Sequence, residues 1–161
     1  MPNLIIRFVA TRSLVGWLIR FATMSLWEHC EVLSRDGTGW VGAHTWTGVE
    51  QRPLDWDKHV IEDRRYQIPV TEAQFKAAHD WLEGKLGTPY NYGVIAGIAL
   101  HWRWLCCRFP NRVDCSELVT GFLQQAGFQP LNTLAAYDAM ISPETLHLSS
   151  LFIDRQLASG R

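Results

Sequence analysis

The sequence lacks an uninterrupted apolar run that could cross a membrane. Its apolar N-terminal stretch, residues 1–21, is broken by Arg7, Arg12 and Arg20, and it has no small-residue cleavage site of the kind that ends a secretory signal. We therefore expect a protein that is cytoplasmic when made, without a signal peptide and without membrane contact. The alternative is an amphipathic surface helix over residues 12–23 that touches lipid.

An excess of charge of either sign is also missing. The 15 Lys and Arg residues are opposed by 16 Asp and Glu residues, so the formal net charge is −1. This balance gives no reason to expect a nucleic-acid partner. Charged residues make up 19% and apolar residues 47% of 161 positions, which is typical of one folded domain spanning residues 1–161.

Cysteine is scarce, and its spacing disfavours structural metal or disulfide sites. The chain has Cys30, Cys106, Cys107 and Cys115, with no C-x-x-C pair, and adjacent cysteines rarely bridge each other. The usage fits a reducing compartment, and we expect no cofactor. Tryptophan, in contrast, is frequent, with 8 residues that indicate either an apolar core or an aromatic-lined groove, the core being favoured.

The apolar periodicity predicts an α+β fold, with an antiparallel sheet or half-barrel packed against helices. A helix is expected over residues 12–23, and Asp36-Gly37 predicts a hairpin turn between two of the strands. The predicted strands cover residues 3–9, 27–34, 39–46, 48–53 and 59–69.

Three further helices are predicted from their start signals. Thr71 and Gln74 form a capping box, and the apolar stripe from Phe75 to Leu86 predicts a helix that Gly87 ends. Asp114 opens a second helix, and Ser142-Pro143-Glu144 opens a short third one.

Cys115 stands at the start of the helix that Asp114 caps, where Glu117 occupies the capping-box position. Free N–H groups and the partial positive charge of a helix start stabilise a thiolate, which is the reactive form of cysteine. The helical wheel places Cys115 on the buried face with Val119 and Phe122. The position predicts a catalytic nucleophile if a base lies nearby, and an inert buried cysteine otherwise.

Of the 6 histidines, His29 and His44 have the most organised surroundings. They lie on the two strands of the predicted hairpin, where alternation can place both on one face as a general base and an orienting group. Glu31 shares the face of His29 and is the alternative third residue. Zinc binding by the two histidines is a further alternative, disfavoured because no other ligand has good spacing.

The remaining histidines show no such organisation. His79 is expected at the surface or at a boundary of its helix. His59, His101 and His147 lie in loop-like or terminal contexts, with no pattern that indicates a role.

Several segments resemble the NlpC-like papain-fold cysteine peptidases. DCSELV at 114–119 resembles the family's DCSGLV nucleophile motif, and LGTPYNYG at 86–93 resembles the G-x-P-Y-x-x-G stretch that precedes it. Residues 28–54 resemble the histidine-bearing segment, and ISPETL resembles the S-P-x-x-L ending of permuted members. Because the histidines precede the cysteine, the order is that of the circularly permuted, YiiX-like branch.

The resemblance implies roles for individual residues. Cys115 matches the nucleophile, His29 the general base and His44 the third, orienting residue. Tyr90 matches the tyrosine that borders the active site.

Two further positions match the family's substrate site, and two depart from its pattern. Asp114 and Ser116 match positions that help to bind the substrate amine in peptidoglycan-cleaving relatives. Glu117 replaces the motif glycine. Cys30 stands where a small aliphatic residue is usual, and because alternation points it away from His29, we expect it to pack in the core.

The resemblance implies a hydrolase that cleaves an amide bond, with a peptidoglycan stem peptide as substrate. It also suggests a phage or prophage protein of a tail or lysis region, associated with the virion and its other proteins. Three alternatives stand beside it: a thiol acyltransferase or lipid hydrolase of the lecithin retinol acyltransferase type, an isopeptidase, and a structural module of a phage assembly. In the last, the aromatic and basic segment 101–112 would be a partner surface.

Overall fold

A computed structural model describes residues 1–23, 25–93, 111–131 and 141–152. The apolar stretch up to Leu100 and residues 101–110 of the aromatic and basic segment lie outside these ranges. Within them the chain is α+β, as predicted, with a five-stranded antiparallel sheet in the order β4-β3-β2-β1-β5. The elements in chain order are β1 Asn3–Thr11, α1 Leu14–Thr23, β2 His29–Leu33, β3 Gly39–His44, β4 Gly48–Pro53, β5 Val60–Pro69, α2 Glu72–Glu83, α3 Cys115–Gln125 and α4 Pro143–His147.

The predicted hairpin joins β2 and β3. Gly37 has a φ of 71°, a left-handed conformation that glycine adopts without strain, and Asp36 accepts a hydrogen bond from the Thr38 N–H. The strands pair antiparallel with Val32 opposite Val41. Continuing this register toward the open end of the hairpin sets His29 opposite His44, so both imidazoles lie on one face of the sheet.

The main core lies between the sheet and the helices. Alternate β1 residues Leu4, Ile6 and Phe8 are completely buried in this core, and Arg7 and Val9 between them are also buried, so both faces of the strand are covered there. Helix α3 packs against α2 and against β2 and β3. Its predicted apolar stripe is confirmed, since the following residues are all buried: Leu118, Val119, Phe122, Leu123 and Ala126. This packing fixes the start of α3 against the strands that carry the histidines.

The short C-terminal helix α4 is tied to the sheet through His147. Ser142 caps the helix as predicted, accepting the Thr145 N–H at 3.1 Å. His147 is buried, its Nε2 lies 2.7 Å from the Tyr66 hydroxyl, and its ring centroid is 5.0 Å from that of Phe8. The expectation that His147 has no organised context was wrong, because its partners lie on β1 and β5, far away in the chain.

Two expectations about α2 were also wrong. The capping box of Thr71 and Gln74 is present, but the helix ends at Glu83 and residues 84–87 form a turn. This turn docks on β4 through a 2.8 Å hydrogen bond from the Gly87 N–H to the Val49 carbonyl, and Leu86 is left 47% exposed. His79 is not at the surface but buried, since α3 covers that side of α2.

Candidate active site

Cys115 is the first residue of α3, and Asp114 caps the helix as predicted. The Asp114 backbone is extended, and its Oδ1 accepts hydrogen bonds from the N–H groups of Ser116 at 2.9 Å and Glu117 at 3.0 Å. The side chain of Cys115 is turned into the protein, and the residue is only 5% exposed. The nucleophile candidate therefore sits at a capped, positively polarised helix start beneath the sheet.

A second cysteine lies beside Cys115. The sulfurs of Cys30 and Cys115 lie 3.9 and 4.0 Å from the same Ser116 hydroxyl oxygen. A hydrogen bond from the Cys30 thiol is the largest cause that holds the pKa of Cys115 well below its usual value, followed by the charge and hydrogen bond of His29, which together outweigh burial. Burial and the neighbouring Cys115 raise the pKa of Cys30. The pair therefore divides into a thiolate at Cys115 and a thiol at Cys30.

The contact with Cys30 was missed from the sequence. Cys30 is fully buried in the core, as expected, and strand alternation does point it away from His29. Because α3 packs across β2, however, the sulfur of Cys115 is within reach of both neighbours on the strand. A cysteine next to the proposed base was the available signal, but alternation alone could not show which helix residue covers it.

His29 carries the positive charge of the site. Burial acts to lower its pKa, but attraction to Cys115, the hydrogen bond between them and the Glu31 carboxylate raise it to about 10. The His29 Nε2 lies 3.3 Å from the Glu31 Oε1, which leaves Nδ1 as the ring nitrogen available to the thiol. A cysteine with a lowered pKa beside a histidine with a raised one forms a thiolate–imidazolium pair.

Glu31 is a buried carboxylate that stays ionised. It is 2% exposed, and its Oε2 lies 3.1 Å from the Arg7 guanidinium. Burial acts to raise the pKa of Glu31, but the hydrogen bond and charge of His29 and the charge of Arg7 lower it. Arg7 is held in turn by Asp57 at 2.6 Å and Asp63 at 3.1 Å. The network supplies a fixed anion behind the His29 ring.

His44 joins the same cluster, at a greater distance from the carboxylate than His29. Its ring centroid is 4.7 Å from that of His29, and its Nε2 is 3.8 Å from the Glu31 Oε1. Burial, then the positive charges of His29 and Arg52, lower the pKa of His44 to about 2, so its ring is neutral. Of the two candidates for the orienting residue, Glu31 is the charged one, and its Oε1 lies 3.3 Å from the His29 Nε2. The role of His44 as orienting residue stays a prediction.

The cluster also holds a possible set of metal ligands. One atom each from His29, Glu31 and His44 lie within 4.8 Å of one another. Glu31 thus supplies the third ligand that sequence spacing did not reveal.

An open groove of about 310 Å³ runs past the two histidines. Tyr90 lines it beside His29 and His44, and Trp46 and Trp56 form aromatic walls that are 85% and 55% exposed. Burial, followed by the negative charge of Cys115, raises the pKa of Tyr90 well above its usual value, so its hydroxyl stays protonated. The frequent tryptophans therefore serve both the core and the groove.

The predicted substrate-binding residues take different positions. Tyr90 lines the groove, whereas Asp114 is 4% exposed and Ser116 is fully buried between the two sulfurs. The contacts of Asp114 and Ser116 are those of a helix cap and of a bridge between cysteines. Their role in binding a substrate amine stays a prediction.

Comparison with known proteins does not assign the chain to a family. No family model matches the chain, and no curated protein matches it. The likeness of residues 114–119 to a peptidase motif therefore remains a resemblance of short segments, and the chemistry of the site must follow from its own groups.

Exposed apolar side chains lie at one border of the groove. Ser13 and Gly16, at the start of α1, line the groove, while Leu14, Trp17 and Phe21 of the same helix are more than half exposed. The rings of Trp17 and Phe21 stack on each other with centroids 5.5 Å apart. Among the residues described, no helix is long and apolar enough to cross a bilayer. The exposed helix face is thus a surface patch.

Proposed function

We propose that the protein is a cysteine hydrolase that cleaves an amide bond through a thioacyl-enzyme, with Cys115 as nucleophile and His29 as general acid and base. The observation that carries this proposal is the opposed perturbation of two neighbouring groups: the Cys30 thiol and then His29 lower the pKa of Cys115, and Cys115 and then Glu31 raise the pKa of His29. Inert buried cysteines have raised pKa values instead. Such perturbed pairs are typical of catalytic sites.

The two groups support a complete reaction. The Cys115 thiolate attacks the carbonyl carbon, and the Cys115 backbone N–H, which the Asp114 side chain does not bind, faces the developing oxyanion. The His29 imidazolium then gives its proton to the leaving amine as the carbon–nitrogen bond breaks, which leaves a thioester on Cys115. Water, deprotonated by the now neutral His29, attacks the thioester and releases the acid.

We propose Glu31 as the positioning residue for His29, with His44 as a neutral neighbour. The carboxylate lies 3.3 Å from Nε2, against 3.8 Å between His44 and that same carboxylate oxygen. An anion at Nε2 fixes the ring and stabilises the imidazolium, which is the task of the third member of a triad.

The substrate class rests on resemblance to the NlpC-like peptidases, which suggests stem peptides of peptidoglycan and a phage-associated, virion or lysis role. The groove is compatible with a peptide because it combines the aromatic walls of Trp46 and Trp56 with polar groups of both charges, among them Lys58 and Asp57. Aromatic walls and a few polar groups are usual in such sites.

The decisive assay incubates the purified protein with peptidoglycan fragments and identifies the products by mass spectrometry. We expect stem-peptide cleavage that is lost in Cys115→Ala and reduced by orders of magnitude in His29→Gln. His59→Gln, in an exposed loop, is the matched histidine control and should keep full activity. Cleavage that survives Cys115→Ala would disprove the proposal.

A second candidate is acyl transfer from or hydrolysis of a lipid, and one observation favours it. The exposed apolar residues of α1 flank the groove, where they could rest on a lipid surface while an acyl chain reaches Cys115. Phospholipid vesicles replace peptidoglycan in a parallel assay. Acyl-enzyme formation at Cys115 from vesicles, without cleavage of stem peptides, would favour this function over the first.

A further inference from the structure

We infer that His29, Glu31 and His44 form a binding site for a divalent first-row transition-metal ion such as Zn²⁺. This inference concerns metal binding alone and does not depend on the function proposed above.

The three side chains lie close to the spacing that zinc requires, and small side-chain rotations would complete it. Two ligand atoms at about 2.0–2.1 Å from a tetrahedral zinc ion lie about 3.3 Å apart. In the protein the Glu31 Oε1 lies 3.3 Å from the His29 Nε2 and 3.8 Å from the His44 Nε2, and all three ligand atoms lie within 4.8 Å. Two imidazoles and one carboxylate are a usual ligand set that leaves further positions open.

The Nε2 atoms of both imidazoles face the Glu31 carboxylate without a well-aligned hydrogen bond. They are buried and make no hydrogen bond of good geometry with any residue in the described part of the chain, although the His29 Nε2 is close enough to Glu31 for an ion pair. His44 is more than nine-tenths buried and points its Nε2 toward Glu31. Buried polar atoms normally have a hydrogen-bond partner, so two such nitrogens that converge on one carboxylate oxygen indicate a ligand.

Gly42 keeps the space between the three side chains open. A Cβ atom at Gly42 would lie 2.8 Å from the His29 Nε2, 3.1 Å from the Glu31 Cγ and 3.3 Å from the His44 Cε1. The three side chains thus border a single small space beside the β3 backbone. Because they project from two paired strands, the ligands are held on a rigid scaffold.

Arg7 orients the ligating carboxylate. It contacts Glu31 through Oε2, so Oε1 remains directed at the two imidazoles. Arg7 is itself held by Asp57 and Asp63. It therefore acts as the outer partner that fixes the carboxylate toward a bound ion.

Zinc binding is tested in a variant that lacks the proposed nucleophile. In the full chain carrying Cys106→Ser, Cys107→Ser and Cys115→Ala, we expect calorimetry with ZnCl₂ to show one site, and X-ray absorption to show nitrogen and oxygen ligands without sulfur. Adding His44→Gln should weaken binding at least about 10-fold, whereas adding His59→Gln should not. Absence of binding, or equal affinity with His44→Gln, would overturn the site. Because the protein lacks Cys115, neither result depends on the proposed hydrolase activity.

Discussion

Replacing Glu31 with glutamine removes the anion behind His29 while keeping the shape of the side chain. At the 3.3 Å that separates Nε2 from Oε1, an effective dielectric of about 20 gives an attraction of at most about 5 kcal/mol. Opposite charges at such distances shift pKa values by about 1–3 units, or about 1.4–4 kcal/mol. We therefore expect the pKa of His29 to fall from about 10 by that amount in Glu31→Gln.

The pKa of Cys115 should change in the opposite direction, because Cys115 is paired with His29. The imidazolium lowers the pKa of Cys115, so a weaker imidazolium raises it, and the thiolate appears at higher pH. The measurement is the rate of iodoacetamide labelling of Cys115 against pH, read on its peptide by mass spectrometry. The acid-side midpoint should move up by about 1–3 units, with a lower rate at mildly acidic pH.

The folded state should survive this substitution. Arg7 keeps Asp57 at 2.6 Å and Asp63 at 3.1 Å, so the loss of one buried charge should cost about 1–3 kcal/mol in the free energy of unfolding. Glu83→Gln is the matched control, because that carboxylate pairs with a surface arginine. A folded Glu31→Gln protein whose midpoint moves no more than that of the control would refute the assignment of Glu31 as positioning residue.

Three further substitutions test the surroundings of the site. Gly42→Ala would place a Cβ 2.8 Å from the His29 Nε2, and we expect labelling of Cys115 to slow about 10-fold or more. The added methyl group overpacks a buried site and should cost about 1–3 kcal/mol in the free energy of unfolding. Cys30→Ala removes the thiol that donates to Cys115 and should raise the pKa of Cys115 in the same labelling profile. Cys30→Ser keeps a donor and should raise that pKa less, and equal shifts in the two variants would contradict the hydrogen bond. Asp114→Ala removes the cap of α3 and should cost about 0.5–2 kcal/mol in thermal or urea unfolding, and Asp114→Asn clearly less.

The sequence alone determined the features that depend on near neighbours in the chain. The cap at Asp114, the turn at Asp36-Gly37 and the capping box at Thr71 are local hydrogen-bond patterns, and each is present where the sequence predicts it. The apolar stripe of α3 and the shared face of His29 and His44 follow from the periods of helix and strand. These rules placed Cys115, the proposed nucleophile, and both histidines correctly on their elements.

Tertiary structure alone decided which groups meet and in what state of charge. Glu31 is ionised in the interior only because Arg7, a neighbour on β1, lies beside it, and Cys30 touches Cys115 only because α3 crosses β2. Such contacts join residues more than 20 positions apart, and no local pattern encodes them. The pKa of a buried group is set by whatever covers it, so the thiolate, the imidazolium and the shared carboxylate could be found only once the strands and helices were packed.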